Sequence, residues 1–152
     1  MIKWIDVVSP TLRDLHKTWI EMRGPQMMAG LRDYNRFVGH APPETSLAVI
    51  VPIDGGSPLI KHAGESVMEI LPVCRNGITF AEMPSPTMRA IVAGPIHQIC
   101  TSRQPDCRRG AIRTPFGAIR FEQLLLPFAN DRLKVCVVHS IYDLSAPERR
   151  GA

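Results

Sequence analysis

The sequence predicts an α+β fold, with a helical N-terminal segment followed by a five-stranded antiparallel sheet that carries helices on one face. Three observations lead to this prediction. Apolar residues recur at helical spacing after Ser9-Pro10, a short apolar run ends at the turn signal Asp54-Gly55-Gly56, and three strand-like segments fill the last third of the chain. The 152 residues are enough for one domain with its own core.

The N-terminal segment begins with a strong helix signal. Ser9 offers a capping hydroxyl, and Pro10 suits the first helical position. One apolar stripe then follows at helical spacing: Leu12, Leu15, Trp19 and Met22. Gly24-Pro25 ends this helix, and a weaker helical pattern covers residues 26–37. We therefore assign residues 1–43 to an N-terminal helical extension.

In the middle of the chain, the spacing of apolar residues changes twice between the helical and the strand pattern. Residues 47–51 form a short apolar strand, and residues 58–64 form its hairpin partner. A short helix is predicted over residues 65–71, and a longer helix begins at Pro86. Gly94-Pro95 lies within that second pattern, so we expect a kink there or two abutting helices.

The last third predicts a three-stranded meander over residues 107–114, 118–128 and 133–142. Residues 124–126 and 135–138 are apolar without alternation, which indicates strands buried on both faces. The mid-chain helices can cover one face, and the N-terminal helix is available for the other. We assign residues 44–144 to the core domain and residues 145–152 to a flexible tail.

Composition excludes several classes of protein. With 45% hydrophobic and 21% charged residues, the chain is neither disordered nor collagen-like. No apolar run is long enough for a membrane span, and no secretory signal opens the chain. No two of its four cysteines form a C-x-x-C pair, and a chain of this size does not need disulfides, so we expect a reduced, cytoplasmic protein.

The charge pattern argues against a nucleic-acid partner. The net charge is only +4, and the one basic concentration has no interleaved aromatic residues. Its members are Arg103, Arg108, Arg109, Arg113 and Arg120. We interpret this concentration as the solvated face of a hairpin.

The order of elements, two strands, short helices, one longer helix and three strands, is that of a PAS domain. Three segments also resemble a PAS-like family common in alphaproteobacteria, often catalogued as PAS family 5. They are the strand–glycine–helix segment that begins at Leu59, the W-x-x-x-R-G element at Trp19–Gly24, and Glu122–Phe128, which resembles the family's E-x-L-L-L-P-L strand with Phe128 in place of Leu.

The resemblance implies a non-catalytic sensory or protein-interaction domain in bacterial signalling. Such a domain has a pocket between its sheet and its short helices, where a small apolar ligand would bind. The candidate lining residues are Phe80, Met88, Val92, Phe121 and Val137. We expect any output to pass through a separate signalling partner.

Cofactor signals are weak, and we expect no cofactor and no metal. His97, Cys100 and Cys107 lack the tight spacing of a zinc site, even if His62 or His139 completed the set. Some PAS domains hold haem through a histidine on the long helix, but His97 falls opposite the apolar stripe of that helix. The run at Cys74 shares only a Cys-Arg pair with the flavin motif of light-oxygen-voltage domains.

Catalytic motifs are also absent from the sequence, so we expect no enzymatic activity. There is no G-x-S-x-G and no phosphate-binding glycine loop. Glu122 is interpreted as an edge or surface carboxylate that pairs with Arg113 or Arg120. The alternative function is a small haem- or thiol-dependent redox protein on the same scaffold.

The N-terminal helix suggests an assembly. Its stripe, Leu12, Leu15, Trp19 and Met22, would leave an apolar patch wherever the chain's own sheet does not cover it. Two-fold pairing would bury such a patch. We therefore expect a homodimer whose interface includes these four residues.

Overall fold

The computed structural model describes residues 5–115 and 117–144, and the predicted tail at 145–152 lies outside this part of the chain. The helices are α1 (Pro10–Arg23), α2 (Leu31–Val38), α3 (Glu65–Ile70) and α4 (Pro86–Ser102), with 3₁₀ turns at Pro43–Thr45 and Phe80–Glu82. The strands are β1 (Ala29–Gly30), β2 (Ser46–Ile50), β3 (Leu59–Ala63), β4 (Asp106–Thr114), β5 (Gly117–Ala129) and β6 (Val135–Leu144).

The sheet is antiparallel and runs in the spatial order β3-β2-β6-β5-β4, so the first hairpin lies beside the last strand. The two residues of β1 pair in parallel with the end of β5 and add a sixth, very short strand. The α+β, PAS-like fold class predicted from the sequence is thereby confirmed. Ala29–Gly30 was not predicted as a strand, because two residues carry no readable period.

Both faces of the central strands are covered, as the unbroken apolar runs predicted. Leu124, Leu125 and Leu126 are all fully inaccessible to solvent although successive side chains point to opposite faces. Helices α1 and α4 each contact both β5 and β6. Ser9 caps α1 by accepting a hydrogen bond from the amide of Leu12, and the indole Nε1 of Trp19 donates to the carbonyl of Pro127 at 2.9 Å.

The packing of α1 on the sheet contradicts the predicted dimer interface. Leu12, Leu15 and Trp19 are only 0%, 4% and 1% exposed, because α1 folds back onto the chain's own sheet. Met22, near the end of the helix, is half-buried. Three of the four proposed interface residues therefore belong to the core of the single chain, and they offer no exposed surface to a second copy.

Helix α4 continues through Pro95 as one element, which excludes the two abutting helices, one of the two alternatives that the sequence left open at Gly94-Pro95. Proline lacks the amide proton that would bond to the carbonyl of Ile91. Ile91 is 49% exposed, so it lies on the solvent side of the helix, where water can replace the missing donor. Among the helices described here, none has the length and apolar character needed to span a bilayer.

Candidate ligand-binding site

A cavity of about 730 Å³ lies between the β2–β3 loop and α4. The loop forms one wall, α4 forms the other, and the 3₁₀ turn after Thr79 contributes Phe80 and Ala81. The loop residues are Val51, Pro52 and 55–58, and the α4 residues are Arg89, Ala93, Gly94, Ile96, His97 and Cys100. The walls are mainly apolar, as is usual for sites that bind small organic molecules.

Local hydrogen bonds hold the loop wall against the 3₁₀ turn. The amide of Phe80 donates to the carbonyl of Pro58 at 2.9 Å, and the amide of Ala81 donates to Ser57 Oγ at 3.0 Å. A capping box between Thr79 and Glu82 begins the turn, and the hydrogen bonds from Thr79 lower the pKa of the Glu82 carboxyl. Phe80 is thus fixed at the floor of the cavity with only 5% of its surface exposed.

Arg89 is the one residue with a permanent charge among the described residues that line this cavity. One terminal nitrogen donates to the carbonyl of Met83 at 2.6 Å. Its Nε is buried and has no hydrogen-bond partner within the described part of the chain. A buried donor without a partner costs about 1–3 kcal/mol, so an acceptor atom placed beside it would be stabilised.

Only one of the five predicted lining residues contacts this cavity, namely Phe80. On α4, Val92 is buried in the core and Met88 is half-buried. Phe121 packs edge-on against Tyr142, with ring centroids 5.7 Å apart. Phe80 therefore lines this cavity, whereas the other four predicted side chains lie outside its walls.

Val137 lies on the wrong face of the sheet for the predicted pocket. It stands directly opposite Phe128 in the β5–β6 ladder, and direct cross-strand partners share a face. The ring of Phe128 contacts Phe37 of α2 at 5.2 Å. Val137 therefore points toward the N-terminal helices, because one residue of register decides the face of a strand residue.

The residues considered for a metal site are separated in the fold. His97 and Cys100 line the cavity, but His62 donates from Nε2 to the carbonyl of Pro43, and His139 contacts Tyr34 on the other face of the sheet. Within residues 5–115 and 117–144, no three metal-ligating side chains come together.

The thiols are not activated as nucleophiles. Burial raises the pKa of Cys74 to about 12. Burial, reinforced by the Glu122 carboxylate, also raises the pKa of Cys107 to about 12. Burial raises the pKa of Cys100 and Cys136 as well. At neutral pH the thiolate, which is the reactive form, is therefore scarce at all four positions.

Glu122 was misread as a surface carboxylate, and its partner was misassigned. It is 8% exposed and accepts hydrogen bonds from the amide of Ser9 at 2.6 Å and from Arg109 Nε at 2.8 Å. The hairpin register places Arg109, rather than Arg113 or Arg120, directly opposite Glu122. Arg109 is therefore part of a structural ion pair and not only of a solvated face.

Sequence reasoning missed Arg89 and the pair formed by Tyr34 and His139. The pair joins residues 105 positions apart, with Tyr34 Oη 2.8 Å from His139 Nδ1. No local pattern reports that contact. No local pattern reports the burial of Arg89 either, because that burial depends on the β2–β3 loop reaching α4.

Comparison with known proteins finds distant similarity to solved structures alone. No family model matches the chain, and no curated protein matches it. The PAS domain of Bordetella pertussis BvgS is 14% identical over 74% of this chain and 86% of that chain, with a TM-score of 0.43. A fungal LOV domain photoreceptor is 12% identical over 65% and 74%, with a TM-score of 0.39. Neither similarity carries information about ligand or activity.

Proposed function

We propose that this chain is a non-catalytic sensory module of bacterial signalling that binds a small, mainly apolar molecule between the β2–β3 loop and α4. One observation carries the proposal. The apolar cavity of about 730 Å³ contains a single cation, Arg89, whose buried Nε has no partner among the described residues. An apolar cavity with one placed polar group is the usual form of a small-molecule site. Its ligand would carry one hydrogen-bond acceptor.

Binding at this place would couple two parts of the fold. A ligand would contact the β2–β3 loop and α4 at the same time, and the loop is tied to the Phe80 turn by two hydrogen bonds. A ligand that favours one arrangement of loop and helix shifts the population toward it. A separate signalling chain, which we expect in the cytoplasm, would bind one of these arrangements in preference to the other.

Native mass spectrometry of freshly purified protein tests the proposal. We expect an adduct of about one small organic molecule per chain, which the variant Arg89→Met loses. The matched control is Arg132→Met, which removes an exposed arginine from the β5–β6 loop and should keep the adduct. Two results would contradict the proposal: an adduct that Arg89→Met retains in full, or no adduct together with no thermal stabilisation by small apolar acids.

The alternative, a haem- or thiol-dependent redox protein, is favoured by one observation: His97 and Cys100 both line the cavity. The residues present do not fit an enclosed haem, however, because His97 is exposed. Burial also raises the pKa of Cys100, which disfavours its thiolate. A Soret band that appears on addition of haemin, and that His97→Ala removes, would support the alternative.

The homodimer also remains a proposal, with a changed interface. Since Leu12, Leu15 and Trp19 are buried, N-terminal pairing would have to use exposed apolar residues such as Val8, which is 58% exposed, together with Met22. Light scattering at micromolar concentration should give twice the chain mass, and Val8→Glu should lower it. A full-length monomer would contradict the dimer.

A further inference from the structure

A second cavity, of about 270 Å³, lies on the opposite face of the sheet from α4. Its walls come from α2, from the segment around Ala41 and Pro43, and from β2, β3 and β6. It shares no lining residue with the Arg89 cavity. The two cavities are therefore separate sites, and an inference about the second does not rest on the function proposed for the first.

His139 is the buried polar group of this second cavity. It is 3% exposed, and its Nδ1 lies 2.8 Å from Tyr34 Oη. Its Nε2 is buried with no hydrogen-bond partner in the described chain. The imidazole ring contacts Phe37 edge-on at 5.5 Å, and the Tyr34 ring contacts Phe128 edge-on at 4.9 Å, so both polar groups are held in place.

The protonation of this pair follows from its burial. Burial, together with the nearby His62 and Lys61, lowers the pKa of His139 to about 3. Burial raises the pKa of Tyr34 to about 12. Both groups are therefore neutral at pH 7. When the Tyr34 hydroxyl donates to Nδ1, the imidazole proton sits on Nε2, which then needs an acceptor.

The charges around the cavity favour an anion. The Lys61 ammonium lies over the Tyr34 ring at 5.1 Å from its centroid, and the Lys61 side chain is exposed. His62 uses its Nε2 proton for the carbonyl of Pro43. Neither Asp nor Glu occurs among the described residues that line the cavity. A negatively charged acceptor would thus meet a neutral donor and one cation.

We propose that this second cavity binds a small monocarboxylate. The carboxylate accepts the Nε2 proton of His139 and pairs with the flexible Lys61 ammonium. A short apolar chain packs against Val38, Ala41 and Ala48. One cation matches a monoanion better than a phosphate dianion, and a cavity of about 270 Å³ has room for a carboxylate with a short apolar chain.

Side-chain ¹⁵N NMR of the full chain tests this site, with butyrate as the probe and butyramide and butylamine as controls. We expect a saturable shift of the His139 Nε2 resonance with butyrate, weaker binding of the neutral amide and none of the amine. Lys61→Met keeps the aliphatic stem and should weaken butyrate binding about tenfold. Lys17→Met makes the same change at an exposed lysine of α1 outside both cavities and should leave the affinity unchanged.

Several outcomes would overturn the proposal. The first is a His139 Nε2 resonance that responds to no carboxylate up to millimolar concentrations, as expected if water alone satisfies the ring. Equal binding of butyramide and butyrate, or equal losses of affinity in Lys61→Met and Lys17→Met, would also overturn it. Lys61 is exposed, so Lys61→Met should fold, and an unchanged melting temperature checks this. The adduct at Arg89 tests the proposed function, and the NMR shift of His139 tests the second cavity. Because the two measurements are independent, either proposal can be contradicted without the other.

Discussion

The carboxylate of Glu122 accepts a hydrogen bond of 2.6 Å from the backbone amide of Ser9, the residue that caps α1. Its second oxygen accepts from the amide of Val8 at 3.0 Å and from Arg109 Nε at 2.8 Å. One buried side chain in the middle of β5 thus positions the start of the N-terminal helix and the neighbouring hairpin strand. Glu122 therefore contributes to the placement of α1 over the sheet, together with the buried side chains of the helix itself.

The variant Glu122→Gln should lose about 1–3 kcal/mol of unfolding free energy, because an amide cannot replace both charged acceptors. Asp143→Asn is the matched control, since Asp143 lies opposite Glu122 on β6 and is exposed. Chemical denaturation of both variants at neutral pH measures the difference. Equal stability of the two variants would contradict the role of Glu122.

The hydrogen bonds to the Glu122 carboxylate also predict that the stability of the fold depends on pH. Burial by itself raises the pKa of Glu122, but the hydrogen bonds from Ser9, Val8 and Arg109 outweigh it and lower the pKa below its usual value. A carboxyl group of this kind stabilises the fold above its unfolded pKa, and this contribution is lost as the pH falls through the folded pKa. Between neutral pH and pH 3, Glu122→Gln should therefore lose less stability than the unmodified protein does.

The Leu125 position of β5 should tolerate no charge, because no partner for a charge is present there among the described residues, as it is at Glu122. Leu125 is fully inaccessible, and Leu125→Asp would place a carboxylate in the core at a cost of several kcal/mol. The control Leu133→Asp makes the same chemical change at a residue that is 45% exposed. We expect the first variant to unfold or aggregate and the second to keep the normal melting temperature. Similar melting temperatures would show that β5 is not a central strand.

Replacing either of two glycines by alanine should change the stability of the protein, but in opposite directions. A Cβ at Gly64 would collide with the backbone carbonyls of Pro43 and Glu44, so Gly64→Ala must displace the chain where β3 meets α3. A Cβ at Gly94, inside α4, would meet open space. Gly94→Ala should therefore stabilise the protein by about 0.5–1 kcal/mol, while Gly64→Ala lowers the melting temperature. Thermal unfolding distinguishes them, and a harmless Gly64→Ala would contradict the close approach.

The thiols should react slowly in the folded protein. Burial raises the pKa of Cys74 to about 12, and the pKa values of the other three cysteines are also raised. At neutral pH, a thiol-specific chromogenic reagent should modify the native protein much more slowly than the denatured chain. One cysteine that reacts rapidly in the native state would instead favour the thiol-dependent alternative.

Local sequence signals predict those elements that depend on neighbouring residues. Ser9-Pro10 marks the start of α1, and the unbroken apolar runs of β5 and β6 predict strands covered on both faces. The turn at Asp54-Gly55-Gly56 separates β2 from β3. These signals are readable because capping, turn formation and periodicity act over a few residues.

Tertiary packing, in contrast, determines which side chains meet. It buried Leu12, Leu15 and Trp19 in the chain's own core, although the same stripe could have faced a second copy. It turned Val137 toward α2 through the register of the strand pairs. It also joined Ser9 to Glu122 and Tyr34 to His139 across more than a hundred positions. Contacts between residues so far apart in the sequence form when the helices pack on the sheet. No periodicity along the chain encodes that packing.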